Sequence, residues 1–162
     1  MTIRPHTLSS FALALSSVLS SGCDHDFGTR IGPSGGVVAS EDGLFQVEVP
    51  AGALSDTIGV YVHRVDGGPS GALRSYEIEP VGTVLSPPAA VQFDWGSLGA
   101  LDGRELEGDS TNGPVLVVAR GDEWQQMADR TVDVDAQRVA ASANYFGVIA
   151  VVEQRGPGLP AE

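Results

Sequence analysis

The chain has 162 residues, a formal net charge of −12 and no lysine. An acidic surface repels nucleic acid, because proteins bind it by neutralising phosphates with Lys and Arg. Composition therefore argues against DNA or RNA as a partner. The single cysteine excludes an internal disulfide, so stability has to come from a packed core.

The N-terminal segment, residues 1–22, has the three parts of an export signal. Arg4 provides a basic start, the stretch 8–19 is apolar, and small residues precede Cys23. The junction resembles the lipoprotein box of bacterial lipoproteins in Gly22 and Cys23. It departs from that box at Ser20, where an aliphatic residue is preferred. The resemblance implies cleavage between Gly22 and Cys23 and acylation of the Cys23 thiol; the alternatives are an ordinary secretory signal and an uncleaved leader.

An acylated Cys23 would hold the protein at the cell envelope. Each buried methylene contributes about 0.8 kcal/mol, and two or more lipid chains hold a protein firmly. Residues 23–30 are the predicted tether, which reaches roughly 25 Å when fully extended. We predict the membrane, through this lipid, and an unidentified envelope protein as partners, with no cofactor. The prediction leaves three locations open: the outer membrane, a periplasmic face and the cell surface.

Beyond the leader, the pattern predicts a single all-β domain over 31–152, an antiparallel β-sandwich, with a flexible tail at 153–162. The chain has 21 glycines and 10 prolines, and short Val-rich runs recur along it. The last run is apolar on both faces, which predicts a central place in its sheet. Predicted strands cover residues 36–40, 44–49, 57–65, 73–79, 87–95, 115–120, 123–128, 131–134, 138–142 and 145–152.

Two strands show which face is buried. Phe45, Val47 and Val49 alternate with polar residues, and Tyr76 and Ile78 do the same in the strand that Pro80 closes. Such period-two alternation buries one face of a strand. The segment 96–114 is predicted to be a long Gly-rich loop.

Three stretches carry a family resemblance to ZU5-type domains over residues 31–151. The corner 49–54, Val-Pro-Ala-Gly-Ala-Leu, is its most specific part. The resemblance implies a β-sandwich that serves as a structural or protein-interaction module. The matching residues are 31–38, Asp42, Gly43 and 49–54 at the opening, Pro80, Gly82, Thr83, Leu85, Pro88 and Val91 in the middle, and 144–151 at the close.

Some ZU5 relatives carry a His-Phe-Ser cleavage triplet in the last strand. The matching residues here are Tyr145, Phe146 and Gly147. Self-cleavage of this kind needs a hydroxyl nucleophile and a base, and both are replaced. The resemblance therefore implies a chain that stays intact after leader removal.

Acidic residues in the predicted loop are weak candidates for calcium ligands, because Ca²⁺ takes six to eight oxygen ligands. They are Asp102, Glu105, Glu107 and Asp109. The simpler interpretation is a solvated loop, since long loops without secondary structure are often mobile.

Two tryptophans, Trp95 and Trp124, are weak candidates for a stacking platform that binds a carbohydrate. Trp95 is in phase with Val91 and Phe93, which favours the core instead. His63 falls on the polar side of its strand and is predicted to be solvated. With no catalytic residues identified, we predict a non-catalytic, lipid-anchored envelope protein acting as a structural or interaction module. The alternative is an envelope carbohydrate-binding or calcium-dependent adhesion module.

Overall fold

The computed structural model describes residues 28–102 and 113–153, which form eleven strands and one helix. No helix among these residues has the length and apolar character needed to cross a bilayer. The elements are β1 (Thr29–Ile31), β2 (Gly36–Ala39), β3 (Phe45–Val49), β4 (Ile58–Arg64), β5 (Ala72–Glu79), β6 (Val84–Asp94), α1 (Trp95–Asp102), β7 (Val115–Arg120), β8 (Glu123–Gln126), β9 (Thr131–Asp133), β10 (Arg138–Tyr145) and β11 (Val148–Val152).

The strands form two antiparallel sheets packed face to face, which confirms the predicted sandwich. One sheet has six strands in the order β1-β4-β5-β11-β7-β8, and the other has five in the order β2-β3-β6-β10-β9. The β11 strand lies between β5 and β7, so the central position predicted from its apolar character is confirmed.

The domain begins earlier than the sequence predicts. Thr29 and Arg30, which the prediction assigned to the tether, belong to β1 and pair with Val60 and Gly59 of β4. A three-residue strand with one buried side chain, Ile31, carries too little pattern to be recognised from sequence.

The start of β6 also differs from the prediction. The strand begins at Val84 rather than at Pro87, so both prolines lie inside it. Proline cannot donate to a ladder and is tolerated where pairing is incomplete. That condition holds here, because β3 pairs only from Ala90 onward and the register with β10 shifts between Ala143 and Tyr145.

The predicted loop after β6 is wrong in its first part, because α1 occupies Trp95–Asp102. Asp94 caps this helix: its Oδ1 accepts the Ser97 N–H at 2.9 Å, and its Oδ2 accepts the Ser97 hydroxyl at 3.1 Å. Aspartate is a preferred N-cap residue, and Leu98 is buried one turn after Trp95. The helix contains two glycines in eight residues, and because glycine has a low helix propensity, the sequence did not indicate a helix here.

An aromatic stack joins the two sheets. Tyr76 of β5 stacks on Phe45 of β3, with ring centroids 4.7 Å apart and an interplanar angle of 16°. The Phe93 ring of β6, whose residue pairs with Phe45 across the two strands, lies 6.3 Å from the Tyr76 ring at 50°. All three rings are fully buried, and aromatic pairs of this kind add about 0.5–1.5 kcal/mol beyond their buried area.

The Tyr76 hydroxyl ties this stack to the turn between β2 and β3. It donates to Asp42 Oδ2 at 2.9 Å, while Asp42 Oδ1 accepts the Ser40 hydroxyl at 2.6 Å and the Leu44 N–H at 3.1 Å. Burial, followed by the hydrogen bond to the Asp42 carboxylate and the charge of that group, raises the pKa of Tyr76.

The segment 33–35 and the corner 49–54 pack against each other. Gly35 has a φ of +74°, and a Cβ there would overlap the carbonyl oxygen of Val49 and lie 2.8 Å from the Ala51 nitrogen. The Gly52 N–H donates to the Pro33 carbonyl at 2.8 Å. The glycine at position 35 is therefore required both by backbone conformation and by the close approach of the corner.

We expect Tyr76→Phe to lower the free energy of unfolding by about 1.5 kcal/mol at pH 7, because one hydrogen bond to a partly exposed carboxylate is lost. Chemical denaturation measures this change. The matched control is Tyr145→Phe, which loses a hydrogen bond to a neutral carbonyl, that of Ala119, and should cost less.

The pH dependence gives a second readout of the same pair. Because the folded-state pKa of Tyr76 is raised, its contribution is full below the ordinary tyrosine pKa and is lost as the pH rises above about 10. The wild type and Tyr145→Phe should both show this alkaline loss, and Tyr76→Phe should lack it. Equal alkaline slopes in all three proteins would contradict this assignment.

Candidate functional site

Three metal-ligating side chains meet on the outer face of the six-stranded sheet. His63 of β4 pairs directly with Glu77 of β5, and Glu79 lies two residues further along β5. Residues two apart on a strand share a face, so both carboxylates project to the side that carries His63. We call these three residues the His63 cluster.

The atoms of the His63 cluster are close and accessible. His63 Nε2 lies 3.4 Å from Glu77 Oε2 and 3.9 Å from Glu79 Oε1. The three side chains are 40%, 29% and 47% exposed, respectively. Among the described residues, His63 is the one basic side chain within ion-pairing distance of either carboxylate. The site can therefore exchange ions with solvent and carries an excess of negative charge.

Sequence reasoning placed His63 on the polar face of its strand, and this is confirmed, but it missed the two glutamates. The alternation in β5 already indicated that Glu77 and Glu79 point outward. What it could not give is the strand register that brings Glu77, 14 residues from His63 in the chain, and Glu79 beside it. The sequence signal that could have found the site is the Glu-x-Glu pattern in the strand that follows the one carrying His63.

A second feature is a groove of about 280 Å³ at the side of the sandwich, where β9 covers only the first part of β10. Beyond the end of β9, Asp129 accepts a hydrogen bond from the exposed edge of β10. Its two carboxylate oxygens lie 3.0 and 3.1 Å from the Ser142 nitrogen. The side-chain hydrogen bond from Ser142, and then the one from its backbone, lower the pKa of Asp129.

The groove wall is also held by Tyr145. Its hydroxyl donates to the Ala119 carbonyl at 3.2 Å, and the Arg120 guanidinium lies 5.6 Å from its ring centroid. The described residues that line the groove include the Ser142 hydroxyl and the Asp129 carboxylate, but no histidine or cysteine. The groove therefore offers polar contacts for a ligand.

The structure does not bring the two candidate tryptophans together. Trp95 is 2% exposed in the main core, as its phase predicted, and offers no ring face to a ligand. Trp124 of β8 is half-buried and packs against a separate cluster with Val115 and Val117. The aromatic platform for a carbohydrate is therefore not assembled from this pair.

The other predicted site residues lie either at the end of α1 or outside the described residues. Asp102 is the last residue of α1 rather than part of a loop. The remaining calcium candidates, Glu105, Glu107 and Asp109, lie outside the described residues, as do Gly22 and Cys23. The calcium site and the acylation site stay predictions.

The stretch that matches the cleavage triplet is firmly hydrogen-bonded. Phe146 is fully buried, and its carbonyl accepts the Gly82 N–H at 2.8 Å. The Gly147 carbonyl accepts the Ile78 N–H at 3.0 Å. A Cβ at Gly147 would meet only the Tyr145 ring, at 3.5 Å, so a serine side chain fits at this position.

Neither a comparison with protein-family models nor one with curated proteins finds a match for this chain. The resemblance to ZU5-type domains therefore stays a prediction carried by the residues named above.

We expect the chain to stay whole at the bond between Phe146 and Gly147, because position 147 has no hydroxyl and position 145 has no imidazole. Intact-mass spectrometry of the purified protein measures this. Gly147→Ser alone should also stay whole, since it restores the nucleophile without the base. A fragment that ends at Phe146 in the wild type would contradict the prediction.

Proposed function

We propose that the protein is a lipid-anchored, non-catalytic module of the cell envelope, with a ZU5-like sandwich that serves as a scaffold or protein-interaction domain. The observation that carries this proposal is the lone Cys23, directly behind an apolar leader and Gly22. It is supported by the short distance in sequence between this residue and the first strand, which begins at Thr29.

The short connection restricts where the domain can work. Six residue steps separate Cys23 from Thr29, so their Cα atoms are at most about 20 Å apart even when the chain is fully extended. The net charge of −12 favours separation of the domain from anionic headgroups. The domain is thus held beside the bilayer without lying on it.

The connection 65–71 and the turn 80–83 lie at opposite ends of β5, which runs over eight residues, about 27 Å. Thr29 pairs with Val60, and the next residue of β4, Tyr61, pairs with Glu79. The start of β1 is therefore level with the end of β5, where the turn 80–83 begins.

The turn 80–83 and the start of β6 carry the two most exposed valines of the described residues. Val81, in the turn, is 60% exposed, and Val84, the first residue of β6, is 75% exposed. Exposed apolar side chains that lie close together favour contacts with other proteins. We assign the partner contact to Val81 and Val84.

The anchor is tested by Cys23→Ser. We expect this change to prevent incorporation of labelled palmitate and to move the protein out of the detergent phase, because the acceptor thiol is lost. The matched control is Ser20→Leu, which supplies the aliphatic residue preferred by the lipoprotein box and should retain labelling. Unchanged detergent partitioning of Cys23→Ser would count against the anchor.

The partner contact is tested by a photo-crosslinking residue placed at Val84 in intact envelopes. We expect a covalent adduct of defined mass, since Val84 is 75% exposed beside the turn 80–83 and its replacement leaves the core undisturbed. The control position is the exposed Ser70 in the connection 65–71, at the opposite end of β5, which should give no such adduct. Absence of an adduct at Val84, or the same adduct at both positions, would overturn the assignment.

A further inference from the structure

We propose that the His63 cluster binds a divalent transition-metal ion of the Zn²⁺ class. The ligands are His63 Nε2 and one carboxylate oxygen each from Glu77 and Glu79. This proposal does not depend on the lipid anchor or on the contact at Val81 and Val84.

The distances suit a small ion. Zinc binds nitrogen and carboxylate oxygen at about 2.0–2.2 Å, so two ligands of a tetrahedral site lie about 3.3–3.6 Å apart. The Nε2 atom of His63 is 3.4 Å from Glu77 Oε2 and 3.9 Å from Glu79 Oε1. All three atoms lie within 4.8 Å of one another, and small rotations of the Glu79 side chain would bring the set to ligand spacing.

The backbone that carries these ligands is well fixed. The β4 and β5 strands pair in register from Tyr61 with Glu79 to Arg64 with Tyr76, and Val62 and Ile78 are buried on the opposite face. An ion at the outer face therefore needs to order side chains only. This lowers the entropic cost of binding compared with ligands on a loop.

Charge also favours a cation here. Two carboxylates project from one side of β5, and among the described residues only the His63 imidazole is close enough to pair with them. A hydrogen bond from Nε2 satisfies one carboxylate at a time, whereas a divalent ion neutralises both. The imidazole can bind such an ion through the Nε2 lone pair when its proton is on Nδ1.

The ligand types select the class of ion. Imidazole with carboxylates suits zinc and neighbouring transition ions, whereas calcium and magnesium prefer all-oxygen sites with more ligands. Three protein ligands leave a fourth tetrahedral position open. Because the cluster is partly exposed, this position faces solvent and takes a water molecule. The bound ion would link β4 to β5 at the outer surface.

The test is calorimetric titration of the full-length protein with zinc chloride, after chelator treatment. His6→Ala and His25→Ala are introduced so that His63 is the single histidine, and any free Cys23 thiol is alkylated. We expect one ion per chain and a zinc-dependent rise in melting temperature. We also expect a shift of the imidazole nitrogen resonance, which in this background belongs to His63 alone.

Ligand variants decide whether the cluster is the site. His63→Gln, Glu77→Gln and Glu79→Gln should each weaken zinc binding at least about tenfold, since changes even to residues around metal ligands cost 10–100-fold. The matched control is Glu48→Gln, an exposed carboxylate on β3 of the other sheet, which should leave the affinity unchanged.

Three results would overturn the proposal. The first is zinc binding that persists at unchanged affinity in His63→Gln and Glu77→Gln. The second is the absence of a stoichiometric ion, and the third is displacement of the bound zinc by equimolar calcium. Melting curves in chelator show whether each variant is folded, and the partial exposure of all three side chains makes these near-isosteric changes well tolerated.

Discussion

The sandwich depends on the position of Tyr76. Its ring packs against Phe45 and Phe93 of the opposite sheet, and its hydroxyl reaches Asp42 in the turn between β2 and β3. One side chain of the six-stranded sheet thus contacts two strands and a turn of the other sheet. A buried hydroxyl needs a partner, and Asp42 supplies it while also receiving the Ser40 hydroxyl and the Leu44 N–H. The packing of the sheets and the conformation of this turn are therefore coupled.

The same constraint positions the chemistry on the outside. Because side chains alternate along a strand, a buried Tyr76 and Ile78 require Glu77 and Glu79 to face outward. The ladder between β4 and β5 then places His63 opposite Glu77. The proposed metal site is a consequence of the register that the core selects, since a slip by one residue would expose Tyr76 and bury the glutamates.

Sequence predicted the fold class and most strands, because period-two alternation is local and strong in β3 and β5. The prediction was wrong at the start of β6 and in the segment that follows this strand. A missing partner strand decided the first case, and a helix cap decided the second. Pro87 is tolerated in β6 because β3 does not pair with that part of the strand, and α1 forms because Asp94 caps it. The candidate site was predictable only in part: the polar face of His63 followed from the pattern, but its partners did not.

The sequence by itself determined the single cysteine, the acidic charge and the buried face of each strong strand. These follow from residue identity and from a period that spans only a few residues. The tertiary structure decided which residues meet: Tyr76 with Asp42 across 34 residues, and His63 with Glu77 across 14. Periodicity indicates the face on which a side chain lies, but only strand order and register determine its neighbours.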